Sequence, residues 1–400
     1  MSLPKYSEYK DSGVAWLGEV PQHWEVAPYK HFVDIHNGAD HKKIEQADGF
    51  PVIGSGGPFA FASEFLYDGE SVLLGRKGTI DKPLYIVGKF WTVDTMYWTK
   101  ISPDAFGKFA YYVALTIPFT YYSTNTALPS MTKGALSAHA IARPPLDEQT
   151  AIATFLDRET AKIDGLIAEQ EKLIALLAEK RQATISHAVT KGLNPDAPMK
   201  DSGVAWLGEV PAHWGVSPLK FLVSFSSGGT PSKDNRSYWD GDVPWASAKD
   251  LKVEILSDTA DHITQHALEA GAASLLPTDT VLVVVRGMIL ARTFPVTQIA
   301  VPMAINQDLK GLVPNSMMNA RFLVWLLRGS ADQTLQRLDE AGHGTKALRM
   351  DAWSSMQLPL PPKLEQTTIA DFLTREASRL DALTAEATRG IALLKERRSA

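Results

Sequence analysis

Cysteine is absent from the 400-residue sequence. Its absence excludes a disulfide scaffold, a zinc site built on thiolates and a thiol nucleophile, and it is typical of proteins from a reducing cytoplasm. No apolar run reaches the ~20 residues that a membrane-spanning helix needs, and the first ten residues contain no apolar stretch of the secretory type. We therefore expect a cytoplasmic protein.

A strong excess of either charge is also lacking. The 40 basic and 45 acidic side chains give a formal net charge of −5. This balance argues against a protein that coats nucleic acid along its whole surface, although it permits a local basic groove. The hydrophobic share of 45% is typical of a folded globular protein, and the length predicts two or three domains.

What the sequence does contain is a duplication. Residues 10–26 and 200–216 share K-D-S-G-V-A-W-L-G-E-V-P-x-H-W-x-V, and residues 144–156 and 361–373 share P-P-x-x-E-Q-x-x-I-A-x-F-L. The residues between these frames, 27–143 and 217–360, look largely unrelated to each other. Matching frames around different inserts imply that the frames have the same structural role in both halves of the chain. The two inserts would then present different surfaces from equivalent positions.

Long helices are predicted after each proline pair. A helix from Asp147 to Lys191 would be ~65 Å long, and apolar residues at spacings of three, four and seven predict one buried stripe along it. The stripe of this first helix comprises Ile152, Phe155, Leu156, Ile163, Leu166, Ile167, Leu173, Ile174 and Leu177, with Arg158, Lys162, Glu169, Glu171 and Lys180 facing away. The stripe of the second helix comprises Ile369, Phe372, Leu373, Leu380, Leu383, Ile391 and Leu394.

Two such helices would most simply pack as an antiparallel coiled coil. The second copy stops at Ala400, where the first continues with I-S-H-A-V-T-K-G, as expected of a C-terminal truncation. Each insert mixes strand patterns, at 71–75, 84–88, 90–94 and 280–285, with helix patterns at 106–115 and 320–327.

We therefore predict an α+β fold with two globular domains in a pseudo-two-fold arrangement, separated by two long antiparallel coiled-coil helices. The predicted segments are 1–143 (frame and first globule), 144–191 (first long helix), 192–360 (linker, repeated frame and second globule) and 361–400 (second long helix).

Signatures of catalysis are missing. The sequence has no Walker phosphate loop, no G-x-G-x-x-G entering a helix, no [DN]-P-P-[YF] methyltransferase loop and no P-D…[DE]-x-K nuclease cluster. His262 and His266 have the spacing of a helical zinc pair but lack the intervening glutamate, and His36 and His41 lie in a polar segment typical of a loop. We predict no catalytic residue, no metal site and no cofactor in this chain.

Both inserts contain short basic and polar loops beside glycine. They are R-K-G-T at 76–79, S-M-T-K-G at 130–134, T-P-S-K at 230–233, R-G at 286–287 and G-T-K at 344–346. Glycine permits close approach of the backbone, Ser, Thr and Lys contact phosphates, and Arg or Gln can read base edges. Any one of them is also typical of an ordinary solvated turn, so their recurrence in both inserts is what favours a binding surface.

The combination of frame and insert motifs resembles the specificity subunit of type I restriction-modification enzymes. In the second insert the resemblance is carried by S-G-G-T-P-S at 227–232, V-P-W at 243–245, K-D-L at 249–251, V-R-G at 285–287 and I-N-Q-D at 305–308. The first insert has weaker versions at 50–57 and 75–78, and H-N-G-A at 36–39 replaces G-G-T-P-S.

The resemblance implies two target-recognition domains, each reading one half of a bipartite DNA sequence. It also implies that the helices separate the two domains and dock two modification subunits. For both domains to meet the major groove on one DNA face, the half-sites must lie about one helical turn apart, roughly 34–36 Å, so rigid helices would set that distance. The modification subunits would methylate adenine with S-adenosylmethionine, and two restriction subunits would add ATP- and Mg-dependent translocation and cleavage. The residues expected to contact DNA are Ser55, Gly57, Arg76, Lys77, Thr79, Lys133, Thr230, Ser232, Lys233, Lys249, Arg286, Asn306, Gln307 and Lys346.

Two other functions remain open from the residues alone. One is a standalone DNA-acting enzyme with an unrecognised site. The other is a non-DNA interaction scaffold whose two variable domains bind proteins or glycans.

Overall fold

The computed structural model describes residues 5–123, 129–340 and 345–399. Its contacts divide the chain into two compact units, Met1–Gly165 and Leu166–Ala400. Both units mix strands and helices, as predicted. In the described part of the chain, no helix has an apolar stretch long enough to cross a membrane.

The first unit contains eleven strands and three complete helices among its described residues. The strands are β1 Tyr9–Asp11, β2 Glu19–Pro21, β3 Glu25–Pro28, β4 Val33–Asn37, β5 Glu45–Gln46, β6 Phe50–Gly54, β7 Gly57–Ala62, β8 Tyr67–Gly75, β9 Leu84–Thr92, β10 Met96–Ile101 and β11 Ala140–Arg143. The helices are α1 Gly107–Leu115, α2 Phe119–Tyr122 and α3 Lys133–Ala138, and the long helix α4, Leu146–Lys191, begins here.

Seven of these strands form one sheet in the order β4-β10-β8-β9-β6-β7-β5. Residues 84–94 were expected to form two short strands, and this was wrong, because 84–92 are one continuous strand. Gly88 has a positive φ of 100° and pairs with Gly69 across the β8–β9 ladder, so the glycine continues the strand where a turn was expected.

The second unit is built from sixteen described strands, four short helices and the long helix α9, besides the end of α4. The strands are β12 Met199–Asp201, β13 Glu209–Pro211, β14 Gly215–Pro218, β15 Val223–Ser227, β16 Trp239–Ala246, β17 Ile255–Leu256, β18 Asp261–Ile263, β19 Leu275–Leu276, β20 Val281–Val284, β21 Arg286–Gly287, β22 Val296–Ile299, β23 Met303–Ile305, β24 Leu309–Pro314, β25 Leu338–Glu340, β26 Lys346–Leu348 and β27 Gln357–Leu360. The shorter helices are α5 Gln265–Glu269, α6 Ala320–Gly329, α7 Ala331–Leu335 and α8 Met350–Ser354, and the unit also holds the long helix α9 Lys363–Ser399.

The core of the second unit lies between a five-stranded sheet and α6. The sheet order is β15-β24-β20-β22-β17. All four residues of β20 are buried, as are Phe322–Leu327 of α6, since an element covered on both sides needs a continuous apolar run. Separate four-stranded (β18-β16-β23-β19) and three-stranded (β21-β26-β25) sheets carry the polar loops.

The duplicated frames have the same strand register in both units. Tyr9 pairs with Pro21 in the first unit, and Met199 pairs with Pro211 in the second. The outgoing frame closes a second ladder, in which Glu25 pairs with Arg143 and Gly215 with Leu360. Each insert therefore begins and ends at the two strands of one small ladder, and this ladder accepts inserts of different length.

A buried glutamine explains part of the repeated P-P-x-x-E-Q sequence. The side chain of Gln149 accepts a hydrogen bond from the Phe106 backbone N–H (2.9 Å) and donates to the Pro144 carbonyl (3.0 Å). Gln366 repeats both bonds, to the N–H of Asn319 (2.8 Å) and the carbonyl of Pro361 (2.9 Å). In both units this amide ties the start of the long helix to the start of the helix in the insert.

The preceding glutamate connects the incoming frame to the same helix start. The carboxylate of Glu148 accepts hydrogen bonds from the indole of Trp24 (2.9 Å) and the hydroxyl of Tyr6 (2.9 Å), and it contacts the His23 imidazole (2.6 Å). Burial raises the pKa of Glu148, but these hydrogen bonds outweigh burial and hold it below its usual range. Glu365 keeps only the imidazole contact among those the structure describes, with His213 at 2.8 Å.

The observed ends of the long helices lie within about two residues of the predicted ones, and within the second unit the helices run antiparallel. Arg181 is paired with Asp381, while Leu173 and Leu177 lie beside Leu383 and Leu394 in one groove. All the residues of the first helix that were predicted to face away are exposed. Two of them, Arg158 and Lys162, form ion pairs with Glu159 on the same helix.

The buried stripe is narrower than predicted. Ile163, in the first unit, and Leu177, in the second, are buried. In the second unit Leu166, Leu173 and Leu383 are exposed, because a two-helix seam covers only its central positions. The last turns of α4 join the core of the second unit instead. There Val189 and Ile185 pack on Gly329, where the backbone of α6 approaches closely.

Candidate nucleic-acid interface

Polar loops of the second unit converge where the glycine pair at 228–229 packs on the end of β23. A Cβ at Gly228 would lie 2.0 Å from the Asn306 carbonyl oxygen, so only glycine fits there. The Gly229 N–H donates to the Ile305 carbonyl (2.9 Å), and the Thr230 hydroxyl donates to the Gln307 side-chain oxygen. Thr230 and Gln307, both predicted from the sequence, therefore lie side by side and exposed.

Arg286 and Lys346 are joined to the same turn through the backbone. The N–H groups of Val285 (2.8 Å) and Arg286 (3.3 Å) donate to the Asp308 carbonyl, and Gly287 pairs with Lys346 between β21 and β26. The Arg286 side chain is exposed, whereas the Lys346 ammonium lies 2.5 Å from Glu340 and lowers the pKa of that carboxyl. The backbones that carry Thr230, Gln307, Arg286 and Lys346 are thus linked to one another, and the Lys346 ammonium already has an acidic partner.

Asn306 has a structural role in this turn. Only 9% of the residue is exposed, and its side-chain oxygen accepts a hydrogen bond from the Asp308 N–H (3.1 Å). Its own N–H donates to the Ala246 carbonyl (2.9 Å). That Asn306 contacts DNA stays a prediction, and in this structure its amide shapes the turn that presents Gln307.

The remaining predicted residues of this unit lie on loops next to the turn. Ser232 and Lys233 are exposed, and the Ser232 carbonyl accepts a hydrogen bond from the Trp239 indole (3.1 Å). Lys249 lies 2.7 Å from Asp261, and this hydrogen bond raises the lysine pKa. Its ammonium group therefore has an acidic partner already. Gly344, part of the predicted G-T-K loop, lies outside the described residues.

The first unit repeats this backbone scaffold with different side chains. A Cβ at Gly38 would lie 2.0 Å from the Val93 carbonyl oxygen, and the Ala39 N–H donates to the Thr92 carbonyl (2.9 Å). The N–H groups of Arg76 (2.9 Å) and Lys77 (3.1 Å) both donate to the Thr95 carbonyl. H-N-G-A therefore occupies the place that G-G-T has in the second unit, and Lys77 occupies that of Arg286.

Other predicted residues of the first unit surround this scaffold. Ser55 lies in the β6–β7 turn, Gly57 begins β7, and Thr79 is exposed after the Arg76–Lys77 bend. Lys133 begins α3, which Thr132 caps by accepting a hydrogen bond from the Ala135 N–H (3.1 Å). The Lys133 ammonium is 3.9 Å from Asp34, at the limit of an ion pair.

A tryptophan supports the glycine loop in both units, and sequence reasoning did not find this role. The Trp245 indole donates to the Gly229 carbonyl (3.0 Å), and the Trp91 indole donates to the Ala39 carbonyl (2.8 Å). The two come from different strands of corresponding parallel pairs: Trp245 pairs with Ala304, whereas Trp91 pairs with Val52. When F-P-V at 50–52 is aligned with V-P-W at 243–245, Val52 falls opposite Trp245. The sequence motif therefore does not show that Trp91 has the role of Trp245.

The histidine pairs have ordinary surroundings. His262 lies 2.8 Å from Asp258, and the His36 ring stacks on Trp98. Among the described residues, no group of three or more His, Cys, Asp or Glu side chains is placed to hold a metal ion.

Comparison with known proteins gives a consistent family. Residues 21–175 and 211–391 match the family described as "Type I restriction modification DNA specificity domain". The EcoR124I/EcoR124II specificity subunit of Escherichia coli is 28% identical over 246 residues, which cover 61% of this chain and 54% of that protein. The MjaIX specificity subunit of Methanocaldococcus jannaschii is 25% identical over 174 residues, or 42% and 39% of the two chains. The chain thus matches about half of the length of these relatives, or less.

Solved structures share the fold. A chain from work on complex assembly and conformational transition of the type I R-M system superimposes with a TM-score of 0.72, at 14% identity over 95% of this chain and 96% of that one. The HsdS subunit from Thermoanaerobacter tengcongensis gives a TM-score of 0.56, at 13% identity over 95% of each chain.

Proposed function

Because this chain belongs to the type I restriction modification DNA specificity family, we propose that it selects the DNA sequence on which a type I restriction-modification complex acts. Each unit would read one half of a bipartite target, through the loops around Gly38 and Arg76 in the first and around Gly228 and Arg286 in the second. The long helices would fix the distance between half-sites and dock the modification subunits.

The observation that carries this proposal is one loop scaffold built twice with different side chains. In both units a glycine packs on a strand end, two consecutive N–H groups donate to one carbonyl, and a tryptophan indole supports the loop. The exposed side chains differ, with Thr230, Gln307 and Arg286 in one unit and Lys77 in the other. Equal backbones with unequal side chains suit two readers of different sequences.

Chemistry would then reside in the partners. Specificity subunits of this family are generally non-catalytic. We propose two modification subunits that bind S-adenosylmethionine and methylate adenine, and two restriction subunits that bind ATP and Mg²⁺. Together they would form an adenine-specific DNA methyltransferase and an ATP-dependent type I site-specific deoxyribonuclease. The absence of cysteine supports a cytoplasmic location.

The experiment is a genome-wide map of methylated adenines in cells that contain the modification subunits, with this chain present or deleted. We expect a two-part motif with an unspecified gap that disappears on deletion. Exchange of residues 27–143 for the corresponding insert of another family member is expected to change one half of the motif only. A methylation pattern that ignores both the deletion and the exchange would refute the proposal and favour a non-DNA scaffold.

A further inference from the structure

The first unit presents an exposed phenylalanine among the candidate DNA-contacting loops. Phe59 is the third residue of β7, just after the turn at 55–56 that joins β6 to β7, and 60% of the residue is exposed. Along this ladder Val52 pairs with Ala60 and Ile53 pairs with Pro58, so Phe59 is an extra residue in a β-bulge. Bulges redirect a side chain from its expected face, and they are common next to functional sites.

The Phe59 ring contacts two of the loops. It lies in edge contact with the His41 imidazole, with 5.3 Å between ring centroids. Its Cε1 is 3.2 Å from the place where a Cβ at Gly54 would lie, so the glycine leaves room for the ring. His41 lies in the loop that begins at Gly38 and joins β4 to β5, and Gly54 ends β6.

Gly54 and His41, the two neighbours of the ring, are close in the chain to residues of the glycine-loop scaffold. The Ile53 carbonyl, next to Gly54, accepts a hydrogen bond from the Val93 N–H (3.2 Å), and the Val93 carbonyl lies against Gly38. One of the Arg76 guanidinium N–H groups donates to the carbonyl of Asp94 (3.1 Å), beside Val93. Together with the chain segments from Gly38 to His41 and from Ile53 to Gly54, these contacts form a closed circle that contains Phe59. The predicted residues Ser55 and Gly57 adjoin this circle in the chain, and Arg76 adjoins it through the Asp94 carbonyl.

We infer that Phe59 is a specificity-determining residue that contacts the 5-methyl group of a thymine in the half-site read by the first unit. This inference rests on the proposed function. An exposed apolar ring gains free energy by covering another apolar group, and in the major groove the apolar group on a base edge is the thymine methyl. Lys42 and Lys43 follow His41 in the chain and are exposed, as phosphate contacts beside such a ring require.

The test compares methylated-adenine maps from cells with the wild-type chain, Phe59→Ala, Phe59→Leu and the control Phe61→Ala. Phe61 lies two residues further along β7 and is also exposed, at 45%, but it pairs with Pro51 outside the circle of contacts. We expect Phe59→Ala to lose discrimination by at least ~5-fold at one position of one half-site, a position that holds a T·A pair in the wild-type motif. Phe59→Leu retains an apolar group and should keep part of the preference, while Phe61→Ala should leave the motif unchanged.

A second measurement isolates the methyl group. The assembled methyltransferase is assayed on duplexes that contain either thymine or uracil at the relaxed position. The wild-type complex should prefer thymine and the Phe59→Ala complex should not, with equal melting temperatures for the two proteins to show that both are folded.

Three results would overturn the inference: a motif unchanged by Phe59→Ala, a relaxed position that holds G·C, or equal sensitivity of both complexes to uracil. If the wild-type chain itself directs no bipartite motif, the proposed function fails together with this inference. If that motif is present and Phe59→Ala leaves it intact, only the inference about Phe59 fails.

Discussion

The glycine loop of the second unit offers a sharp test of the scaffold, by the substitution Gly228→Ala. The added Cβ would lie 2.0 Å from the Asn306 carbonyl oxygen and 2.3 Å from that of Ile305. Both are backbone atoms at the end of β23, so no side-chain rotation relieves the overlap. The loop and the strand end must separate by about 1 Å, because Cβ atoms essentially never approach another atom within 3.0 Å.

The expected cost has two sources. Forcing an extra methyl group into a packed site costs about 1–3 kcal/mol. The separation also weakens the hydrogen bond from the Gly229 N–H to the Ile305 carbonyl, for about 0.5–1.5 kcal/mol. We expect the free energy of unfolding of the second unit to fall by about 2–4 kcal/mol. For a unit of this size that corresponds to a drop of about 5–15 °C in melting temperature.

A matched control is Gly215→Ala in the same unit. Its Cβ would lie 3.8 Å from the nearest atom, an ordinary contact, and the first copy of the frame already has Glu25 at this position. Calorimetry should therefore show a melting temperature close to that of the wild type. Gly38→Ala should destabilise the first unit as Gly228→Ala does the second, since its Cβ would lie 2.0 Å from the Val93 oxygen. A melting temperature of Gly228→Ala within 2 °C of that of Gly215→Ala, which corresponds to about 1 kcal/mol or less, would show that Gly228 does not pack closely on the Asn306 carbonyl.

Three further predictions concern the frame and the helices. Gln366→Ala removes a buried amide from three backbone groups and should cost about 1–3 kcal/mol by denaturant unfolding; an unchanged midpoint would contradict the role of that amide. Arg181 and Asp381 form a partly exposed ion pair, so a double-mutant cycle should give a coupling of about 1 kcal/mol or less that shrinks with salt; a larger, salt-independent coupling would count against this. Glu148→Gln should destabilise the first unit at pH 7 and lose its effect in acid, because a carboxylate with a lowered pKa stabilises the fold above the unfolded pKa of about 4.3 and stops doing so as pH falls through the folded value. An equal effect of Glu148→Gln at pH 7 and pH 3 would refute that assignment.

The duplicated frame was predictable because both of its halves have strong local signals. The repeat at 10–26 and 200–216 predicts equal structure, and the ladders of Tyr9 with Pro21 and Met199 with Pro211 confirm it. Apolar periodicity placed the long helices within one or two residues of their observed ends. Periodicity alone could not say how wide the buried stripe is, since that depends on how many neighbours each helix has. For this reason Leu166 and Leu173, which were predicted to be buried, are exposed.

Positions in the loops were less predictable, because the contacts that fix them link residues far apart in the chain. The motif at 305–308 predicts that Asn306 contacts DNA, which stays a prediction, but it gave no sign that the Asn306 side-chain oxygen accepts a hydrogen bond from the Asp308 N–H. The strand patterns at 84–88 and 90–94 concealed a single strand, because Gly88 is a turn signal unless another glycine faces it. The bulge that turns Phe59 towards His41 has no local signature either.

The exchange of tryptophan between strands shows what the family resemblance preserves. In the second unit the indole that supports the loop comes from Trp245, and in the first it comes from Trp91 on the opposite strand of the corresponding pair. Its N–H nevertheless donates to the carbonyl of the residue after the loop glycine in both units. The tryptophan thus lies on different strands and in different motifs in the two units, but its hydrogen bond to the loop is the same. What the two units have in common is therefore the position of the loop backbone. The exposed side chains on that backbone remain free to differ, as the proposed function requires of two units that each read a different DNA sequence.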